Sequence, residues 1–191
     1  MTDIEIKERL KNLIILYDSR EKKIEHIVQP MLENSVVMKK VTLDVGDYSC
    51  MIPKTNNITL LGESFDLDFR SRIVIERKNS IEELSNCLSN DRSRFTRELE
   101  RSKAKGTKFI LLVENGSYER IIQQRYNTEL NCRSFMASLH TFQARYSIDI
   151  EFISSWLAWN YIYKVLYYFV REELKAYGNG ETVRNKAANV G

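Results

Sequence analysis

The sequence predicts an α/β protein in which strands alternate with helices around a mixed sheet. Three observations lead there. Apolar runs of strand length recur at residues 13–17, 73–75 and 109–113, as expected of strands covered on both faces. Between such runs, apolar residues recur every three or four positions, as at Ile81, Leu84 and Leu88, the period of a helix with one buried face. The 191 residues are 43% apolar with seven glycines and two prolines, a composition that closes a real core and fits one domain.

Taken in order, the charged start reads as a helix or a tail, and residues 13–17 form a strand ending in Asp18, Ser19, Arg20 and Glu21. A helix follows with Ile24, Ile27, Val28 and Met31 on one side, and Pro30 is expected to kink or end it. Residues 36–43 read as a strand, 44–47 as a turn and 48–52 as extended chain. The polar stretch 53–70 reads as a mobile loop beside the site, with a short strand at Thr59, Leu60 and Leu61. Residues 72–78 form the next strand. Ser80 and Glu83 then have the spacing of a capping box, so a helix starts there. Its pattern continues past Asn90 with Phe95 and Leu99 inward, while Arg94, Arg97 and Arg101 share another face. Gly106 marks the turn before a strand at 108–113. Helices at 118–126 and 133–145, a strand at 147–153, and a long helix capped by Ser154 or Ser155 complete a domain spanning 1–177. Residues 178–191 read as a flexible tail.

Composition narrows the function classes. The first residues lack the pattern of a secretory signal, and the apolar stretch 156–170 is too short to span a bilayer and carries Asn160 and Lys164. A cytoplasmic location is expected. Cys50, Cys87 and Cys132 are odd in number and far apart, which suggests neither disulfides nor zinc. The net charge of +3 is unevenly spread: residues 69–108 hold eleven Lys and Arg against six Asp and Glu. Positive charge is thus gathered where a polyanionic substrate would need it.

That same region carries the chemistry. Strand side chains alternate, so Glu76 and Lys78 share one face while Ile75 and Arg77 share the other. A second carboxylate, Asp47, follows Gly46 at the start of another strand. Pairing these strands brings two acids and an ammonium together, the minimum set for holding a divalent metal against a phosphodiester. Asp18 either joins them or caps the following helix. Arg77 reads either as the ion-pair partner of Glu21 or another acid, or as a substrate contact. Glu114 ends a strand and His140 reads as helix packing, and neither is assigned to the site.

Gly46, Asp47 and Tyr48, followed by Val74, Ile75, Glu76, Arg77 and Lys78, resemble the GDxnERKxxxD signature of the XPF/Hef family of structure-specific DNA endonucleases. Asp18, Ser19, Arg20 and Glu21 resemble that family's D-x-R-E motif, and the NDRxRFxREL stretch is similar to compact members found in bacteria and prophage-like elements. The resemblance implies a restriction-endonuclease-like fold, three-layered α/β/α with a central mixed β-sheet. It further implies Mg²⁺- or Mn²⁺-dependent cutting of flapped, forked or branched duplex DNA in repair or recombination, by a homodimer. Carried over by position, Asp18, Asp47 and Glu76 are the metal acids and Lys78 the catalytic lysine, with Arg20, Glu21 and Arg77 completing the polar shell. Glu82, with Glu83 beside it, stands where the signature ends in Asp.

Many members carry a tandem helix-hairpin-helix domain after the nuclease domain, where this sequence has one helix and a tail. DNA is then expected to be held by the nuclease domain, a dimer partner or another protein. Arg92, Arg94, Arg97 and Arg101 are the expected phosphate contacts. The last helix is dense in aromatics, from Trp156 and Trp159 to Tyr168 and Phe169, and they cannot all share one stripe. A homodimer interface there is the expectation. Two other readings compete: a restriction-like nuclease on linear duplex or ends, and a non-catalytic DNA-binding subunit of a nuclease complex.

Overall fold

The computed structural model describes residues 1–54 and 66–178. Its elements run α1 (Asp3–Leu10), β1 (Ile14–Asp18), α2 (Glu25–Glu33), β2 (Val37–Val41), β3 (Tyr48–Ile52), β4 (Leu67–Asp68) and β5 (Ile73–Lys78). They continue with α3 (Ile81–Leu88), α4 (Arg92–Ala104), β6 (Lys108–Glu114), α5 (Tyr118–Ile122), α6 (Cys132–Tyr146) and β7 (Asp149–Ile153). A 3₁₀ turn (Ser155–Leu157) then leads into α7 (Ala158–Gly178).

The strands form one mixed sheet in the order β2-β1-β3-β5-β6-β7, with β4 paired to β3. β1 runs parallel to β2, β3 is antiparallel to both β1 and β5, and β5, β6 and β7 run parallel. The alternation of strand side chains divides the core in two. Ile73, Ile75, Ile110 and Leu112 face α1, α2 and α7, whereas Val74, Phe109, Leu111 and Val113 face α3, α4 and α6. The expected three-layer α/β/α arrangement follows from that division. α7 crosses the first face with Ala158, Ile162, Leu166, Val170 and Leu174, a four-residue repeat that stays wholly buried.

Four local expectations need correction. The helix expected to continue through Asn90 is broken: α3 stops at Leu88 and α4 starts at Arg92. The Ser89 hydroxyl takes the Ser85 carbonyl there, and Asn86 Nδ2 donates to the Asp91 carboxylate across the break. Pro30 lies inside α2 and does not end it: the helix runs on to Glu33, anchored by Ile27 and Met31 in the core. α5 ends at Ile122, four residues short of Tyr126, whose hydroxyl instead donates to the Leu130 carbonyl. The last helix starts at Ala158 after the 3₁₀ turn, and Ser154 makes no side-chain cap bond. The short strand expected at residues 59–61 lies outside the described residues, as does the expected tail beyond 178.

Candidate active site

The topology brings three separated motifs to one end of the sheet. The Asp18 N–H donates to the Asp47 carbonyl at 2.8 Å, and the Asp47 N–H donates to the Ile75 carbonyl at 2.8 Å. The carboxyl end of β1, the start of β3 and the far half of β5 are therefore locked side by side. Gly46 makes the turn possible. Its φ is +73°, and an added Cβ would fall 2.8 Å from Cβ of Val74, so a larger residue meets both strain and a clash.

A cleft of about 350 Å³ opens over this end. All seven residues expected in the catalytic shell line it: Asp18, Arg20, Glu21, Asp47, Glu76, Arg77 and Lys78. Glu83, Glu98, Arg94 and Arg101 line it as well. Glu76 and Lys78 share the α3/α4 face of β5, and Lys78 Nζ donates to Glu76 Oε1 at 2.5 Å. The ammonium also lies 5.8 Å from the Phe95 ring centroid and 3.9 Å from Glu83. Glu82 turns away to accept the Asn127 N–H, so Glu83 is the acid of this pair that reaches the cleft.

Arg77 points through the sheet to the opposite face. Its guanidinium is held by Glu21 and by Glu114, the latter at 2.8 Å, while Glu114 also meets His26 Nε2 at 2.9 Å. Its backbone N–H serves the site instead, donating to Asp47 Oδ2 at 2.8 Å. Asp18 is fully engaged. Oδ1 accepts the Arg20 N–H and Nε–H, and Oδ2 accepts Arg20 Nη2 and the Leu43 N–H. Arg20 in turn donates to the Leu43 carbonyl, fastening the turn before Gly46.

Electrostatics separates these acids. Burial pushes Asp47 well above the usual carboxylate range, and the neighbouring charges of Glu76 and Glu21 push it further. Glu76 is pushed up to about 7, again mainly by burial, with Lys78 pulling the other way and Glu98 and Glu21 adding repulsion. Asp18 lies below the usual range, since its bonds from Arg20 and Leu43 outweigh burial. For Lys78, burial opposes the charge, but Glu76 more than compensates and keeps it protonated.

The cleft is lined by the acids Asp18, Glu21, Asp44, Asp47, Glu76, Glu83 and Glu98 against the cations Arg20, Arg77, Lys78, Arg94 and Arg101. Among the described residues no group of three His, Cys, Asp or Glu side chains is placed to hold a metal ion. Asp47 and Glu76 nevertheless present the chemistry such an ion takes. They are crowded carboxylates with raised proton affinity, each with one oxygen that has no hydrogen-bond partner among the described residues. A hard divalent cation such as Mg²⁺ or Mn²⁺ fits this all-oxygen donor set.

The arginines of α4 divide. Arg94 and Arg101 line the cleft. Arg92 turns inward, donating to the Leu88 carbonyl and the Ser138 hydroxyl with its guanidinium 4.8 Å from the Phe142 centroid. Arg97 is exposed and outside the cleft lining. Sequence reading missed Glu83, Glu98 and Glu114. Glu114 had a faint signal, because parallel pairing of Arg77 with Leu112 sets it on the same face of the neighbouring strand.

A family model described as the ERCC4 domain matches residues 17–166. The chain belongs to the ERCC4 domain family. A search of curated proteins found no match. Among solved structures, XPF from Aeropyrum pernix aligns at 17% identity with a TM-score of 0.54, covering 80% of this chain and 59% of that one. The same protein in complex with DNA aligns at 17% identity and TM-score 0.57, covering 84% and 66%. This ERCC4 domain therefore spans about three fifths to two thirds of the length of those structures. Its fold is the restriction-endonuclease-like one. Among its described residues no helix is long and apolar enough to cross a membrane.

Proposed function

We propose that this ERCC4 domain is a divalent-metal-dependent endonuclease acting on flapped, forked or otherwise branched duplex DNA. The observation that carries the reading is the meeting of Asp47, Glu76 and Lys78 in one cleft at the end of the sheet. Asp47 and Glu76 would hold Mg²⁺ or Mn²⁺, which when bound supplies positive charge to the phosphoryl oxygens and acidifies a water. Lys78 stays protonated and faces the same space, where it stabilises the charge that develops in the transition state. Arg20, Glu21, Asp18 and Arg77 hold these groups in place, through the turn before Gly46 and the clamp behind β5. DNA as the substrate is supported by family membership and by the rim of Arg94 and Arg101. Purified protein incubated with flap, fork, four-way and linear duplexes in Mg²⁺, then Mn²⁺, tests it. No cutting of any branched substrate overturns the reading, and cutting of linear duplex alone favours a restriction-like enzyme.

The rim makes its own prediction. Arg94→Ala and Arg101→Ala should weaken binding of every DNA alike, each lowering the slope of log affinity against log salt by about 0.9. Arg92→Ala should leave that slope unchanged and lower the thermal midpoint, since its side chain is spent on Ser138 and Phe142. Fluorescence anisotropy across a salt series, with melting curves, separates the cases.

The protein is proposed to act as a homodimer through α7 and the turn before it. The flanks of α7 carry the half-buried Trp159, Tyr161, Tyr163, Tyr167 and Phe169, while Tyr168 and Trp156 are 52% and 69% exposed. Exposed aromatics of this kind support an interface. Sedimentation should give a dimer for the wild type and a monomer for Trp156→Ser combined with Tyr168→Ser. A wild-type monomer at tens of micromolar sinks the assignment.

A further inference from the structure

We infer that Arg20 grips the DNA phosphate next to the one that is cut, on the same strand, and that Asp18 is the residue that aims it, a role that rests on the nuclease reading above. A guanidinium carries five N–H groups in a fixed planar fork. Three of those of Arg20 are spent inside the protein. Nε–H donates to Asp18 Oδ1 at 2.7 Å, and Nη2 donates to Asp18 Oδ2 at 2.9 Å and to the Leu43 carbonyl at 2.8 Å. The two on Nη1 have no partner among the described residues. The Arg20 side chain is 70% exposed and lines the cleft, while the Asp18 side chain that holds it is 1% exposed. Asp18 cannot swing away, since its oxygens also accept the Arg20 N–H and the Leu43 N–H, each at 2.7 Å. A buried carboxylate thus presents a cation whose outer edge is open, in the geometry that suits the oxygens of a phosphate.

The other cations of the cleft are built differently. Arg77 is closed between Glu21 and Glu114 on the far face, and the Lys78 ammonium is spent on Glu76. Arg94 makes one ion pair, 3.9 Å from Asp91, and Arg101 one bond, 3.4 Å to the Asp44 carbonyl, so neither is held as firmly before DNA arrives. Among the described residues lining the cleft, Arg20 is the cation that is both open and preorganised. Its place in the fold selects the phosphate. Asp47 and Glu76 stand at the ends of β3 and β5, and β1, which carries Asp18, lies beyond β3, about 4.8 Å further out. A phosphate seated at Asp47 and Glu76 therefore leaves Arg20 to its neighbour. The bonds to Asp18 raise the proton affinity of Arg20, and the charges of Glu98 and Asp47 add to that, as expected of a group facing the same space. The bond to Leu43 also fastens the turn before Gly46, and the test must separate fastening from gripping.

Pairing protein variants with altered DNA does so. The cut is mapped on a fork substrate, and a single neutral methylphosphonate is then placed at the phosphate on one side of it or the other. In the wild type one of these two substitutions should lower kcat/KM by about tenfold to a hundredfold, the range of a charge-assisted hydrogen bond. Arg20→Ala should lose a similar factor on unaltered DNA. The neutral phosphate should then cost it no more than about twofold further, because the contact is already gone. Asp18→Asn should share that insensitivity, since an amide cannot hold both arms of the fork, and full sensitivity there overturns the aiming role. A residue that only fastens the turn gives losses that multiply, and multiplied losses at both positions overturn the inference while leaving the nuclease reading intact. So does a wild type indifferent to both methylphosphonates. A wild type that cuts no branched DNA removes the nuclease reading itself. Should the Ala variant fail to fold, Arg20→Lys keeps a cation against Asp18 but has no fork to span carboxylate and phosphate at once. The same insensitivity is expected of it, and full wild-type sensitivity in Arg20→Lys overturns the inference.

Discussion

Lys78→Ala should lower DNA cleavage by about a thousandfold while leaving DNA affinity nearly unchanged. Removing one preorganised donor from a water-poor site costs about 10²–10³ in rate, and this ammonium is a full charge. The side chain is 6% exposed and is held between Glu76 and the Phe95 ring, so its position is fixed before substrate binds. Deleting it also removes the cation that holds the Glu76 carboxyl down among the described residues, so that carboxyl should rise further. Lys78→Arg should not rescue, because a planar guanidinium cannot occupy the pocket of a compact ammonium. Rate measurements on a fork substrate, with binding followed by anisotropy, check both statements. Cleavage within threefold of wild type would show that Lys78 stands outside the reaction.

Asp47→Asn should abolish cleavage and, without metal, make the protein more stable. The carboxyl of Asp47 is raised well above 3.8 by burial and by Glu76 and Glu21. The sign follows from linkage: between 3.8 and the raised value, the folded protein keeps a proton that the unfolded chain has released. Stability is therefore lost as pH rises through that window, and the whole penalty is present above it. Glu76 adds a second window, from 4.5 to about 7. Asparagine removes the charge and keeps an oxygen for the Arg77 N–H. The variant should be more stable than the wild type at pH 8 in a chelator and no more stable at a pH well below 3.8, where the acid is protonated in both states. With Mn²⁺ the order should reverse, since only the wild type gains from binding the ion. Denaturant curves at two pH values, with and without Mn²⁺, settle the point. A less stable Asp47→Asn at pH 8 in a chelator would mean that the carboxylates are not crowded.

The layered fold was legible because β5 and β6 are short apolar runs and α3 repeats its apolar residues at helical spacing, and both patterns are local. The same holds for Glu76 and Lys78, whose shared face needs only the two-residue repeat of a strand. Pro30 and residues 89–91 misled in opposite directions. A proline was absorbed by the packing of Ile27 and Met31, whereas an apolar pattern with no proline was broken where the Ser89 hydroxyl takes the Ser85 carbonyl and Asn86 Nδ2 meets the Asp91 carboxylate. What could not be read were contacts made across the tertiary structure. Nothing local in Glu98 says that it will meet Gly46, 52 residues earlier, and nothing in Arg92 says that Phe142 will claim it. Arg94 and Arg92 differ by two positions, enough on a helix to set one over the cleft and the other against Ser138 and Phe142 of α6.

Arg77 joins Glu21, 56 residues before it, to Glu114, 37 residues after it, and its own amide steadies Asp47. These links close long loops, and contacts of such separation form late because their entropy cost precedes their reward. During synthesis, a ribosome that has not yet released β6 holds a polypeptide whose acidic centre lacks its rear support. The clamp behind the acidic centre therefore closes only after Glu114, at the end of β6, has emerged.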